Sequence, residues 1–171
     1  MEIVIIRATS GEAAQLQHIA RQTFFETFAA DNREENMKRY LEEGFSLEKI
    51  QHELADFNTQ FYLALHGDQA IGYLKLNFGE AQTELKDVNA LEIERIYVLK
   101  DFHGKRAGQM LYEKGIEVAR LARVSYVWLG VWERNARAIR FYEKNGFTAF
   151  STHIFMLGDD RQTDIMMKLW L

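Results

Sequence analysis

Leu91-Glu-Ile-Glu94-Arg-Ile-Tyr-Val98 leads into Phe102-His103-Gly104-Lys105-Arg106-Ala107-Gly108, and later comes Asn135-Ala-Arg-Ala138-Ile-Arg-Phe141-Tyr142-Glu-Lys144-Asn-Gly146-Phe147. The first run is apolar at most positions and reads as a strand. It feeds a short turn of glycine and basic residues that opens a helix running from about Gly104 to Ala122, the arrangement in which free helix-terminal N–H groups make an anion site. Val124 to Trp132, rich in Val, Tyr and Trp, reads as the next strand. Asn135 is a good N-cap and Gly146 a good stop for the helix between them. Strand, turn, helix, strand, helix is the alternation of an α/β sheet.

Working outward, Glu2 to Ala8 reads as a first strand. Thr9-x-x-Glu12 is a capping box ahead of Ala13, Leu16, Ile19, Ala20, Phe24 and Phe28, an apolar stripe at helical spacing. Asn32-x-x-Glu35 predicts a second helix that Gly44 stops, and Ser46 caps a third running toward Asp56. Gln60 to His66 and Gln69 to Phe78 read as two strands around Gly67-Asp68. The polar stretch 79–90 has no period and reads as a loop. Phe147 to Met156 and Thr163 to Leu171 form a last hairpin across Gly158-Asp159-Asp160. The order β-α-α-α-β-β-β-α-β-α-β-β predicts one α/β domain over 1–171, a mixed sheet covered by helices.

Composition agrees: 171 residues, 47% hydrophobic and 27% charged, describe one folded globular unit. No apolar run approaches the ~20 residues that span a bilayer. The N-terminus is acidic and turns polar after a few residues, unlike a secretory signal, so a cytoplasmic protein without membrane contact is expected. With no cysteine, disulfides, thiolate metal sites and cysteine nucleophiles are excluded. The five histidines show no metal-ligand spacing, so no metal is expected. Residues 1–90 carry 8 basic and 15 acidic side chains, a balance of −7, whereas residues 100–144 carry 10 and 5, a balance of +5. One part of the surface thus suits an anion and another a cation. A net charge of −4 and the lack of a recognition-helix motif argue against direct nucleic-acid binding.

Three constellations carry chemistry. The turn His103-Gly104-Lys105-Arg106-Ala107-Gly108 is a basic loop or a phosphate cradle; it contains neither GxGxxG nor GxxxxGK[ST]. Glu92 and Glu94 sit in an otherwise apolar strand where carboxylates are poor formers. They either face solvent with Arg95 as partner, or one of them takes a proton. Alternation puts both on one face. Phe24, Phe25, Phe28 and Tyr40 are core aromatics, or with Glu26, Asp31, Glu34 and Glu35 they line a cleft for a cationic amine.

Taken together, the turn and Asn135-x-x-Ala138-x-x-Phe141-Tyr142-x-x-x-Gly146-Phe147 resemble the two signature motifs of the GNAT family of N-acetyltransferases. The runs Leu91-Glu-Ile-Glu-Arg-Ile-Tyr97, Trp128-Leu-Gly-Val-Trp132-Glu and Gly158-Asp-Asp-x-Gln162-Thr-Asp164 look most similar to the bacterial PaiA-type spermine/spermidine N-acetyltransferases. The resemblance implies a mixed, mostly antiparallel sheet flanked by helices, with strands 91–98 and 124–132 forming a splayed parallel pair that takes the pantetheine arm. It implies acetyl-CoA as co-substrate. His103, Gly104, Lys105, Arg106, Ala107 and Gly108 would hold the pyrophosphate, with Arg106 where the family has glycine and His103 where it has Gln or Arg. The Ile96-Tyr97-Val98 strand end would stabilise the oxyanion, Asn135 would bond the pantetheine arm, and Lys144 would reach a CoA phosphate or simply lie in solvent. Counting back from Val98, Glu94 matches the family's base, with Glu92 as fallback, and Tyr142 would protonate the departing thiolate. A partly buried glutamate with a raised pKa would suit the base's task. The implied function is acetyl transfer to a small primary amine, a polyamine above all. The alternatives are a protein N-terminal or lysine acetyltransferase, with an open groove near 79–90, and a CoA-binding regulatory sensor with little turnover. Many such relatives pair their last strand across a dimer, which leaves a homodimer open.

Overall fold

The computed structural model describes all 171 residues. After β1 (Val4–Ala8), the Thr9 N–H donates to Glu12 Oε1 at 2.9 Å, so the box forms, but on a single 3₁₀ turn ahead of α1 (Ala13–Phe28). Leu16, Ile19, Ala20, Phe24 and Phe28 form the buried face of α1, the stripe its spacing requires. α2 (Glu34–Gly44) departs from expectation at its start. Arg33 is its N-cap, and Asn32 turns back instead, donating through Nδ2 to Phe28 O at 2.8 Å. The side-chain oxygen a cap would need is taken as well, Asn32 Oδ1 accepting from Gln162 Nε2. α3 (Leu47–Ala55) is capped as predicted, with the Lys49 N–H donating to Ser46 Oγ at 3.1 Å.

β2 (Thr59–His66) and β3 (Gln69–Phe78) pair around Gly67, whose φ of +60° is the turn conformation glycine permits. β4 (Ala90–Val98) and β5 (Tyr126–Trp132) are linked by α4 (Ala107–Leu121). α4 begins later than predicted because Gly104 (φ +77°) and Arg106 (φ +70°) are left-handed and cannot continue a right-handed helix. Its Gly115 lies close over Leu74, Leu76 and Ile93, which lets the helix approach the sheet closely. α5 (Ala136–Lys144) then leads to β6 (Thr148–Leu157) and β7 (Asp160–Trp170). This hairpin is tighter than expected, and only Gly158 and Asp159 remain outside its strands.

The seven strands form one sheet in the order β1-β2-β3-β4-β5-β7-β6, antiparallel everywhere except between β4 and β5. Leu74, Leu76, Leu91, Ile93, Val127 and Leu129 pack with α4 on one face. Phe61, Leu63 and Tyr73 pack with α1 and with Phe45 and Ile50 on the other. Two irregularities shape the middle. The register moves from Leu76↔Ile93 to Lys75↔Arg95, leaving Glu94 as the extra residue of a β-bulge that bends β4. The parallel pair holds only at Ala90↔Tyr126, Leu91↔Val127 and Glu92↔Trp128, and beyond Glu92 the strands part.

Candidate active site

The parting strands turn backbone groups of both edges into the space between them. Leu99 N–H donates to Ile71 O at 2.8 Å, so by antiparallel alternation Arg95 and Tyr97 also point at β3, while Ile96 and Val98 point into the gap. On the far side Glu133 N–H donates to Thr163 O at 3.0 Å, so Gly130 and Trp132 point into the gap. An extended amide-bearing chain can pair with these groups as an added strand. A continuous cavity of about 940 Å³ runs through the gap to both faces of the opening.

One end of the cavity is cationic. The turn 103–108 and the start of α4 form its rim, with the amide dipoles of the helix directed toward it. His103 Nε2 lies 2.8 Å from Val98 O and ties the turn to the end of β4. Burial pushes the His103 imidazole below its usual pKa, so the ring supplies a hydrogen bond more than a charge. Arg106 and Lys144 line this end, as do Lys100, Arg134, Arg137 and Arg140. Lys105 lies outside the lining, its Nζ 5.5 Å from the centre of the Phe102 ring. Asn135 Oδ1 accepts the Ala138 N–H at 3.2 Å, which starts α5 and leaves the side-chain NH₂ to donate elsewhere. Tyr142 is buried on the same helix, and burial, with Tyr97 nearby, holds its phenol well above the usual range. It therefore keeps its proton until a stronger base forms beside it.

The other end is acidic and aromatic. Phe24 stacks on Tyr40 at 4.6 Å, Phe28 lies 4.9 Å from Trp132, and Tyr40 meets Phe155 at 5.8 Å. All five line the cavity together with Asp31; Glu26 lines it beside the cationic end, where its Oε1 accepts the Lys100 N–H at 3.2 Å, and Phe25, Glu34 and Glu35 lie outside the lining. Glu92 and Glu94 both line it and converge on one amide: Asn77 Nδ2 donates to Glu92 Oε1 at 3.0 Å and to Glu94 Oε1 at 2.8 Å. Their environments then diverge. Glu92 also accepts the Thr83 N–H at 2.8 Å and the Thr83 hydroxyl at 2.6 Å. Burial lifts its carboxyl above the usual range, and the Asn77 and Thr83 bonds offset only part of that. Glu94 is buried too, but Arg95 at 3.3 Å and Lys75 at 2.9 Å outweigh the desolvation and hold it down at about 2. Lys75 is itself paired with Glu53. Of the two glutamates Glu92 is thus the one with the raised carboxyl, and Glu94 stays ionised.

Two sets of lining residues were not singled out in the sequence. Arg134, Arg137 and Arg140 recur at helical spacing ahead of Lys144, a signal that was legible. His153 and Asp164 meet only through the β6–β7 register, which no local pattern announces. Gln82 and Thr83 anchor the 79–90 segment over this end: Trp128 Nε1–H donates to Gln82 Oε1 at 2.7 Å, and Thr83 bonds Glu92.

The sequence model of the Acetyltransferase (GNAT) family matches residues 15–147. The chain is 41% identical over 166 residues to an uncharacterised N-acetyltransferase of Lactobacillus delbrueckii subsp. lactis, covering 97% of this chain and 96% of that one. It is 24% identical over 156 residues to a spermidine N(1)-acetyltransferase of Thermoplasma acidophilum, covering 89% and 92%. The crystal structure of the PaiA N-acetyltransferase from Thermoplasma acidophilum in complex with coenzyme A superposes with a TM-score of 0.82 at 22% identity, covering all of both chains.

Proposed function

The chain belongs to the GNAT family of N-acetyltransferases, which use acetyl-CoA, and from that premise we propose that it acetylates a primary amine of a polyamine by direct attack in a ternary complex. The observation that carries this reading is one cavity lined by a cluster of cations, by an acidic and aromatic cluster, and by the gap between the parted strands β4 and β5. In this reading the amides opening α4, with Arg106, Lys144 and the arginines of α5, hold the phosphates of acetyl-CoA. Ile96, Val98, Gly130 and Trp132 line the course of its pantetheine arm, and Asn135 donates to it. In the same reading a backbone N–H of the 96–98 strand end donates to the acetyl oxygen.

The amine arrives as an ammonium with an ordinary pKa of ~10.4 and must lose a proton before it attacks. Glu94, fixed as an anion, and the aromatic walls attract the cation. Glu92, the lifted carboxyl, takes the proton through water. Tyr142 gives its proton to the departing thiolate. Holding both substrates in one chamber supplies further acceleration. Support for a polyamine comes from the acidic aromatic lining and from the Thermoplasma acidophilum spermidine acetyltransferase among the relatives. The anchored 79–90 segment favours a small, flexible acceptor over a folded peptide.

The experiment is steady-state CoA release from acetyl-CoA with spermidine, spermine and a lysine-containing peptide in parallel. Saturable turnover with the polyamines is expected. Turnover with the peptide alone sinks the polyamine assignment, and CoA binding without any turnover sinks the enzyme reading in favour of a regulatory CoA-binding protein.

A further inference from the structure

Acetyl transfer to an ammonium releases a proton. The ammonium brings three N–H bonds, the amide keeps one, the thiol takes one, and one proton per turnover must reach solvent. Glu92, proposed above as its first acceptor, is 3% exposed and cannot discharge it alone. A graded path leads outward from the same chamber. Asp164 (β7) and His153 (β6) are direct cross-strand partners, with His153 Nε2 3.5 Å from Asp164 Oδ2. On the outer side His153 Nδ1 lies 3.2 Å from Glu84 Oε2. Side-chain exposure rises along the series from 16% at Asp164 to 27% at His153 and 45% at Glu84. The order from buried to open is that of an exit.

We propose that His153 carries the released proton from the acceptor chamber to solvent, receiving it beside Asp164 and passing it to Glu84. This rests on the acetyl transfer proposed above.

Three independent features of the fold assemble the path. Thr83, the neighbour of Glu84, is fastened to Glu92 by two hydrogen bonds, so one segment touches both the base and the exit. Gly130 of β5 provides the floor. A Cβ there would stand 3.2 Å from His153 Cε1 and 3.5 Å from Asp164 Oδ2, so the missing side chain is what leaves the ring its room. His153 Nδ1 is buried and makes no hydrogen bond, its approach to Glu84 being out of line, so the ring is poised between the two carboxylates and not locked to either.

The groups facing the ring are Asp164 on β7 and Glu84 from the 79–90 segment; β5 contributes none. Glu92, Glu94 and Arg95 on β4 and Tyr40 on α2 line the same end of the cavity. Burial raises the Asp164 carboxyl and His153 lowers it, so the pair exchanges a proton more readily than an exposed aspartate would.

The step balances. An ammonium N–H bond breaks, its electron pair stays on nitrogen for attack, and the proton moves through water to Glu92. From Glu92 it reaches His153 Nε2, forming an imidazolium. The unlocked ring then turns, the same Nε2–H bond breaks toward Glu84 Oε2, which equilibrates with solvent, and the neutral ring turns back with its Nδ1–H retained, in the tautomer it started from.

The test compares wild type, His153→Asn and Glu84→Gln in full pH–rate profiles at low buffer, with and without added imidazole. The expected result for His153→Asn is a kcat at least about tenfold lower, restored in part by imidazole, with KM for acetyl-CoA unchanged. Glu84→Gln, a surface change that leaves the core intact, should show a smaller loss with the same rescue. Wild-type kcat and no buffer dependence in both variants overturns the relay, as does a rise in amine KM at constant kcat, which would make His153 a wall of the amine site. A wild type that turns over no amine overturns the acetyl-transfer reading and the relay with it, whereas active, insensitive variants overturn the relay alone.

Discussion

Arg106 holds a left-handed backbone at φ +70°, a conformation that costs a non-glycine residue roughly 1–2 kcal/mol. The position also rims the cationic end of the cavity. Arg106→Gly should therefore leave the melting temperature unchanged or slightly higher, relief of strain being partly offset by a freer unfolded chain. KM for acetyl-CoA should rise several-fold as the guanidinium is lost, which thermal denaturation and initial-rate measurements check together. Tyr142 has the opposite profile, a buried phenol on a capped helix with its proton firmly held. Tyr142→Phe should lower kcat by about 10²-fold with acetyl-CoA affinity within a few-fold of wild type, read by steady-state kinetics and calorimetry. The departure at position 106 was visible in the sequence, but its conformation was not, because arginine carries no signal for positive φ. Asn32 shows the same limit: the oxygen that would cap α2 accepts from Gln162 on β7, a partner no local pattern announces.

At the scale of the element, β4 concentrates the site's electrostatics. Its bulge at Glu94 and the cations beside it keep that carboxyl at about 2. A carboxyl depressed in the folded state adds stability above its unfolded pKa and loses it as pH falls toward the folded value. Glu94→Gln should cost about 3 kcal/mol near neutrality, since it leaves buried cations short of a partner. The gap between wild type and variant should close as pH falls from about 5 toward 2. Urea denaturation across that range decides it, and a gap that stays constant would remove the ion-pair explanation. The strand itself was plain from its apolar run, as were the capped helices α3 and α5. The bulge was not, because one extra residue leaves composition and length unchanged. The division of labour between Glu92 and Glu94 was hidden for a related reason: Lys75, Asn77 and Thr83, which set it, lie on other segments.

The whole molecule is polarised as the charge balance of its two parts anticipates, with acid and aromatic groups at one mouth of the cavity and arginines and lysines at the other. Both substrates are thus drawn by opposite fields. Raising salt from 0.05 to 0.5 M, roughly halving the Debye length or more, should raise KM for acetyl-CoA strongly and for acetyl-pantetheine, which lacks the nucleotide phosphates, hardly at all. Equal sensitivity would mean the basic residues act only as ordinary surface charge. The parting of β4 and β5 also bears on how the molecule holds together. Within the sheet only three residue pairs join the leaf β1–β4 to the leaf β5–β7, so this is where backbone pairing is thinnest. A ligand lying in the gap acts as a splint, lending each leaf the pairing the other withdrew, and the protein that has just released its product is the one most free to breathe along that seam.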